Sequence, residues 1–172
     1  MANNPKKFTV GVRLLKGQVD RAAVRMTFIY RWHPRVHFGL EYNPKVGEVH
    51  PLLTLIPVTE TANRPAVIVG ISSDRIGTPS GTSFYVTASK DLEHWTGLPI
   101  APYAGAVYGT YEGRVRPIGG MSIRLPRNFT SLIQFDGVKL HPSLTYTFND
   151  THSLTFLLIR LKQPGVSYTF SF

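Results

Sequence analysis

The chain has 172 residues, no cysteine, and 19 Lys and Arg against 10 Asp and Glu, a formal charge of +9. Charged residues make up only 17% and hydrophobic ones 42%, so a basic chain carries less charge than the roughly 25% of an average soluble domain. Without cysteine there is no disulfide framework, thiolate metal site or cysteine nucleophile, and no run approaches the ~18 apolar residues of a membrane-crossing helix.

Met1 to Lys7 is basic but has no apolar stretch behind it, so any signal peptide is expected to have been removed already. Alternation with period 2, the signature of a strand with one apolar face, then begins. Phe8, Val10, Val12 and Leu14 alternate with Thr9, Gly11 and Arg13. After Lys16-Gly17 the pattern resumes with Val24, Met26, Phe28, Tyr30 and Trp32, and after His33-Pro34 with Val36, Phe38, Leu40 and Tyr42. Further on, Met121, Ile123 and Leu125, then Leu140, Leu144, Tyr146 and Phe148, and finally Val166, Tyr168, Phe170 and Phe172 keep it.

Turn residues separate the runs, notably Asn43-Pro44, Asn63-Arg64-Pro65, Pro126-Arg127-Asn128, Asp136-Gly137, Asn149-Asp150 and Gln163-Pro164-Gly165. The only helical candidate, around 90–95, is too short for more than a turn. Residues 74–81 contain glycine but no Walker lysine, and read as an exposed hairpin loop. Twelve strands are expected near 7–15, 21–33, 35–43, 48–58, 65–73, 82–90, 102–112, 115–125, 128–136, 138–149, 152–162 and 165–172. Pro51 and Pro57 make the fourth the least regular, and ten strands follow if that hairpin fails. No linker or repeat divides the chain, which reads as one all-β domain over 1–172.

Two environments suit an antiparallel sheet with one apolar face: a soluble sandwich that turns it inward, or a membrane barrel that turns it to lipid. The polar face here holds Gly, Ser, Thr and scattered Arg and His with little Glu or Lys, unlike a solvated exterior. Strands of about 9–12 residues match a tilted bilayer crossing. With both termini on one side, Trp32, Trp95, Tyr103, Phe129, Phe148, Phe170 and Phe172 fall near one boundary and Tyr42, Tyr111 and Phe135 near the other, as interfacial girdles require.

The last residues, Val166-Ser167-Tyr168-Thr169-Phe170-Ser171-Phe172, resemble the terminal strand of bacterial outer-membrane β-barrels. That resemblance implies that Tyr168, Phe170 and Phe172 form a β-signal for the barrel-assembly machinery. The fold expected is an antiparallel up-and-down transmembrane β-barrel in the bacterial outer membrane, with connections after odd strands facing outward. Over short tracts alone, Phe38-Gly39-Leu40-Glu41-Tyr42 and Val86-Thr87-Ala88-Ser89-Lys90 resemble barrels linked to exopolysaccharide secretion.

In this register the interior receives Arg13, Arg25, Arg31, His37, Glu41, Arg124, Lys139, His141 and Arg160. A basic lumen inside a low-dielectric wall attracts anions, so a small anion-preferring passive channel is the expected function. An Arg31–Glu41 pair across the interior would instead plug a narrow structural or secretion-associated barrel. The same residues are also compatible with a lipid-modifying enzyme or a soluble β-sandwich binding module. His50, His141 and His152 neighbour Ser or Thr, but a triad is defined by geometry, and no catalytic residue is assigned. No histidine spacing matches a metal motif, so neither metal nor cofactor is expected. With no basic run beyond Lys6-Lys7, nucleic acid is not expected as a partner. The partners expected are the bilayer, a small anionic solute, and lipopolysaccharide phosphates facing Arg75, Arg114 and Arg116.

Overall fold

In the computed structural model the alternating runs pair into a ladder that closes on itself. The structure describes residues 6–17 and 19–172, so residues 1–5, at the start of the stretch read for a leader, lie outside the described residues. The elements are β1 (Phe8–Leu15), α1 (Asp20–Ala23), β2 (Val24–His33), β3 (Val36–Asn43), β4 (Glu48–Val58), β5 (Ala66–Ser73), β6 (Thr82–Ser89), α2 (Glu93–Thr96), β7 (Ile100–Gly109), β8 (Arg114–Leu125), β9 (Phe129–Phe135), β10 (Leu140–Thr147), β11 (His152–Ile159) and β12 (Gln163–Ser171). Each strand pairs antiparallel with its sequence neighbour, and β12 returns to β1, giving a closed up-and-down barrel of twelve strands. Reciprocal backbone bonds between Phe8 and Phe172, both 2.9 Å, finish the seam.

The strands run from seven residues in β9 to twelve in β8, somewhat shorter at the low end than expected. β4 is complete, which settles twelve strands over ten. Pro51 lies opposite Leu40, and Pro57 falls in the irregularity between Leu55 and Val58, where a missing N–H breaks no regular pairing. One turn is displaced. Arg160 and Leu161 both take positive φ (56° and 59°) between β11 and β12, so Gln163, Pro164 and Gly165 belong to β12 rather than to a turn. Two consecutive left-handed residues make the tight turn whose twist suits a hairpin.

The barrel turns its apolar face outward. Phe28, Phe38, Leu40, Val49, Phe84, Val86, Leu144 and Phe156 are all exposed. The fully buried apolar side chains among the described residues are only Leu15, Ala22, Ala23 and Ile159. At the end holding the termini, aromatic rings join into a belt across neighbouring strands. Phe8 stacks on Phe28, Tyr30 and Phe172, Phe170 on Phe172, and Phe129 and Phe148 pack on Tyr146. His152 joins the belt against Phe170 and hydrogen-bonds the Tyr168 hydroxyl.

Inside, two tyrosines lie over glycines of adjacent strands. Tyr85 pairs with Gly70, and Tyr103 with Gly120. A Cβ at Gly70 would overlap the Tyr85 ring and the Leu53 carbonyl oxygen. Each ring covers backbone that the glycine leaves bare, and so pins the register. Tyr103 is therefore a lumen residue and not an interfacial one, because the ring needs the space that Gly120 provides. Gly70→Ala should push Tyr85 off its neighbour and destabilise the barrel by about 1–3 kcal/mol, as overpacking does. A lower temperature for the gel-mobility shift that marks barrel unfolding would register it, and an unchanged temperature would contradict the packing account.

Candidate functional site

The two ends of the barrel differ. At the end formed by the connections after odd strands, inward residues are buried: Glu41, Asn43, His141, Leu15 and Ile159. At the terminal end, inward-register Arg31 and Arg124 are exposed. The cause is the 74–81 connection, which folds back into the barrel instead of standing clear as an exposed loop. Ile76 packs against a small apolar cluster of Leu15, Ala22 and Ile159, and Asp74 and Thr78 are 8% and 1% exposed.

A buried arginine from α1 holds the connection there. Arg21 Nε donates to the Thr78 carbonyl at 2.9 Å, and one terminal nitrogen reaches the Asp74 and Arg75 carbonyls and the Thr78 hydroxyl at 2.9–3.0 Å. Burial draws the Arg21 guanidinium below its ordinary value, and Glu41 and Asp74 oppose that effect. Asp74 completes the fold-back by accepting the Arg75 and Tyr111 amides at 2.7 and 3.1 Å.

Beside this plug the sequence-predicted lumen residues separate into groups. Glu41, 1% exposed, pairs with Arg25 at 2.5 Å and accepts from Asn43 at 3.1 Å. Its partner is thus Arg25 and not Arg31, which sits at the far end of β2 opposite His37. Arg13 faces Arg25 across β1 and β2. His141 donates from Nε2 to Asp136 at 2.8 Å, and its Nδ1 accepts the Arg160 amide at 3.2 Å, which fixes the tautomer.

Two predicted lumen residues are placed differently, and a third, Arg160, reaches the interior from a turn rather than from a strand. Lys139 is exposed in the β9–β10 turn, with its amide on Asp136. Arg124 lies at the terminal mouth and ion-pairs with Asp91 and Glu93, which tie the β6–β7 connection down. Arg160 sits in the β11–β12 turn at the closed end, its side chain against Gly77. In each case a turn or connection has captured the residue that strand phase alone assigns to the interior. Of the aromatics expected at an interface, Trp32 and Trp95 are exposed at the terminal end, and Tyr42 and Tyr111 at the closed end.

Of the acids at the closed end, sequence reasoning found Glu41 and missed Asp136 and Glu112. Asp136 is buried, which raises its pKa, yet the His141 bond and the Lys139 and Val138 amides together bring it below the ordinary carboxyl value. Glu112, bridging Arg75 at 2.5 Å and Arg116 at 2.7 Å, is pulled down to about 2 by those two guanidinium bonds. A depressed carboxyl contributes stability above its unfolded pKa and loses it as pH falls through the folded one. The stability gap between the native chain and Glu112→Gln should therefore be full above pH 4.5 and fade towards pH 2. A gap independent of pH would reject the bridge as its source.

The remaining interior is hollow. One cavity of about 690 Å³ and a second of about 410 Å³ share Arg13, Arg25, Ile76, Gln134 and His141 in their walls. The larger has an apolar side from Ile68, Tyr103, Val107 and Ile118. The smaller is lined by hydroxyls, among them Thr130, Thr145, Thr155, Ser167 and Thr169. No protein-family model matches the chain, and no curated protein matches it.

Proposed function

We propose that the chain is an outer-membrane β-barrel that admits small anions into a basic lumen, with the 74–81 connection setting its constriction. The exterior supports the membrane part of this reading. A belt of exposed Phe, Leu and Val over a closed ladder has no protein core behind it, and so large an apolar surface is stable only against an apolar medium. The aromatic belt at the terminal end suits an interface, and the outward Tyr168, Phe170 and Phe172 suit a β-signal presented to assembly machinery.

One observation carries the anion preference. Arg13, inside the hollow, makes no side-chain hydrogen bond or ion pair among the described residues, and Glu41 is already held by Arg25, the residue facing Arg13. A cation so placed in a low-dielectric wall favours anions over cations. Planar-bilayer recording tests the reading. Conductance steps with an anion-selective reversal potential are expected, and cation selectivity would overturn it. The Arg21 latch favours a second reading, a closed barrel with a structural or secretion-associated role, for which no steps would be seen. Folding of the purified chain without detergent would overturn both.

A further inference from the structure

We infer that the Arg13 cavity is a binding site for a monocarboxylate with a small apolar body. The inference rests on the membrane-barrel reading for its access route and on the cavity alone for its chemistry. Arg13 points inward from β1, and its Nε is buried with no hydrogen-bond partner. Such a group costs free energy unless something satisfies it. Among the described residues, the acids of the interior are already engaged. Glu41 is taken by Arg25 and Asn43, Asp74 by two backbone amides, and Asp136 by His141 and two amides. A guanidinium offers paired donors in one plane, which a carboxylate matches with two oxygens.

The rest of the cavity selects the body attached to that carboxylate. On the strands opposite the arginines, Ile68, Tyr103, Val107 and Ile118 present apolar surface interleaved with the hydroxyls of Ser83, Thr87 and Ser122. A volume of about 690 Å³ lies within the ~300–1,000 Å³ of small-molecule sites, which combine apolar walls with a few placed polar groups. Inorganic phosphate would satisfy Arg13 and leave the apolar wall unused, whereas a ring-sized carboxylate uses both.

Equilibrium dialysis of the full chain in detergent, with benzoate, benzyl alcohol and inorganic phosphate as probes, tests this. Benzoate should bind at least tenfold more tightly than either other probe, the factor expected of one charge-assisted hydrogen-bonding group. Arg13→Gln should abolish the preference over benzyl alcohol while leaving benzyl alcohol unchanged. Arg13→Lys keeps the charge without the fork and should lie between, which preserves the test if the Gln variant fails to fold. Benzoate binding indifferent to Arg13, or phosphate binding as tight as benzoate, would overturn the site. Benzoate binding by a barrel that shows no bilayer conductance would support the site and remove the channel. Anion-selective conductance without benzoate binding would do the reverse.

Discussion

Arg21→Ala should free the 74–81 connection from the lumen and turn a constricted barrel into an open one. Arg21 hydrogen-bonds three successive parts of the connection, at Asp74, Arg75 and Thr78. Its loss strands the Asp74 and Thr78 carbonyls, while the Arg75 carbonyl keeps the Thr78 amide and hydroxyl. Hydrogen bonds to a charged donor contribute about 1.5–3 kcal/mol each, so the free-energy loss should be about 3 kcal/mol, below the additive sum because freed carbonyls reach lumen water. Without Arg21 the connection keeps the Ile76 contact, the Asp74 bond to the Tyr111 amide and the Arg75–Glu112 bridge, of which the last two tie down its start and leave Thr78 free of the barrel wall. Two measurements follow. Trypsin should cut after Arg75 in the folded variant while sparing that bond in the native chain, and bilayer conductance should rise several-fold. Arg21→Lys should resemble the alanine variant, because a single ammonium cannot reproduce the planar fork. A variant as protease-resistant and as poorly conducting as the native barrel would show that the connection is held by its own Asp74 turn instead.

The barrel is legible in the sequence because its period-2 pattern is stated many times. Val10, Val12 and Leu14 on β1 and Val166, Tyr168 and Phe170 on β12 leave one phase open to each strand, and a slip by one residue would turn every side chain over. The phase fails where both faces are apolar. Leu157-Leu158-Ile159 cannot show which residue faces inward, so the pattern puts the following turn too late; tertiary register, with Ile159 opposite Gln163, decides it. The plug is illegible for a different reason. Residues 74–81 have the Asp, Gly, Pro and Ser of any surface turn, and the single Ile76 carries no period. What folds them inward is Arg21, more than fifty residues earlier in the chain, a distance over which no local pattern speaks. Lys139 and Arg124 share one cause of misplacement: alternation predicts the face of a strand, but not that a turn or a neighbouring connection will claim a residue at or just beyond its end.

Glu41→Gln should make the lumen more anion-selective while weakening the barrel. Glu41 is the acid that Arg25 contacts, and Arg13 lies directly across from Arg25. Replacing the carboxylate by an amide keeps the side chain's size and an oxygen for Asn43, yet leaves two adjacent guanidinium groups without a counter-charge. Breaking one side of a buried ion pair costs about 3–5 kcal/mol. Here the cost should fall at the lower end, because the Arg25 side chain keeps 25% of its surface accessible and borders the hollow, where water or an anion can reach it. The reciprocal change, Arg25→Gln, should be worse for stability, since Glu41 at 1% exposure would be a carboxylate with no such relief. An anion that binds the folded Glu41→Gln barrel stabilises it by mass action, so added benzoate should recover part of its lost unfolding temperature and recover less for Arg25→Gln, where Arg13 remains but an unpaired Glu41 opposes the carboxylate. The reversal potential should move further toward the anion limit in Glu41→Gln. Equal losses in the two variants, with no response to benzoate, would mean that the pair serves packing alone and that the charge of the hollow does not govern what enters it.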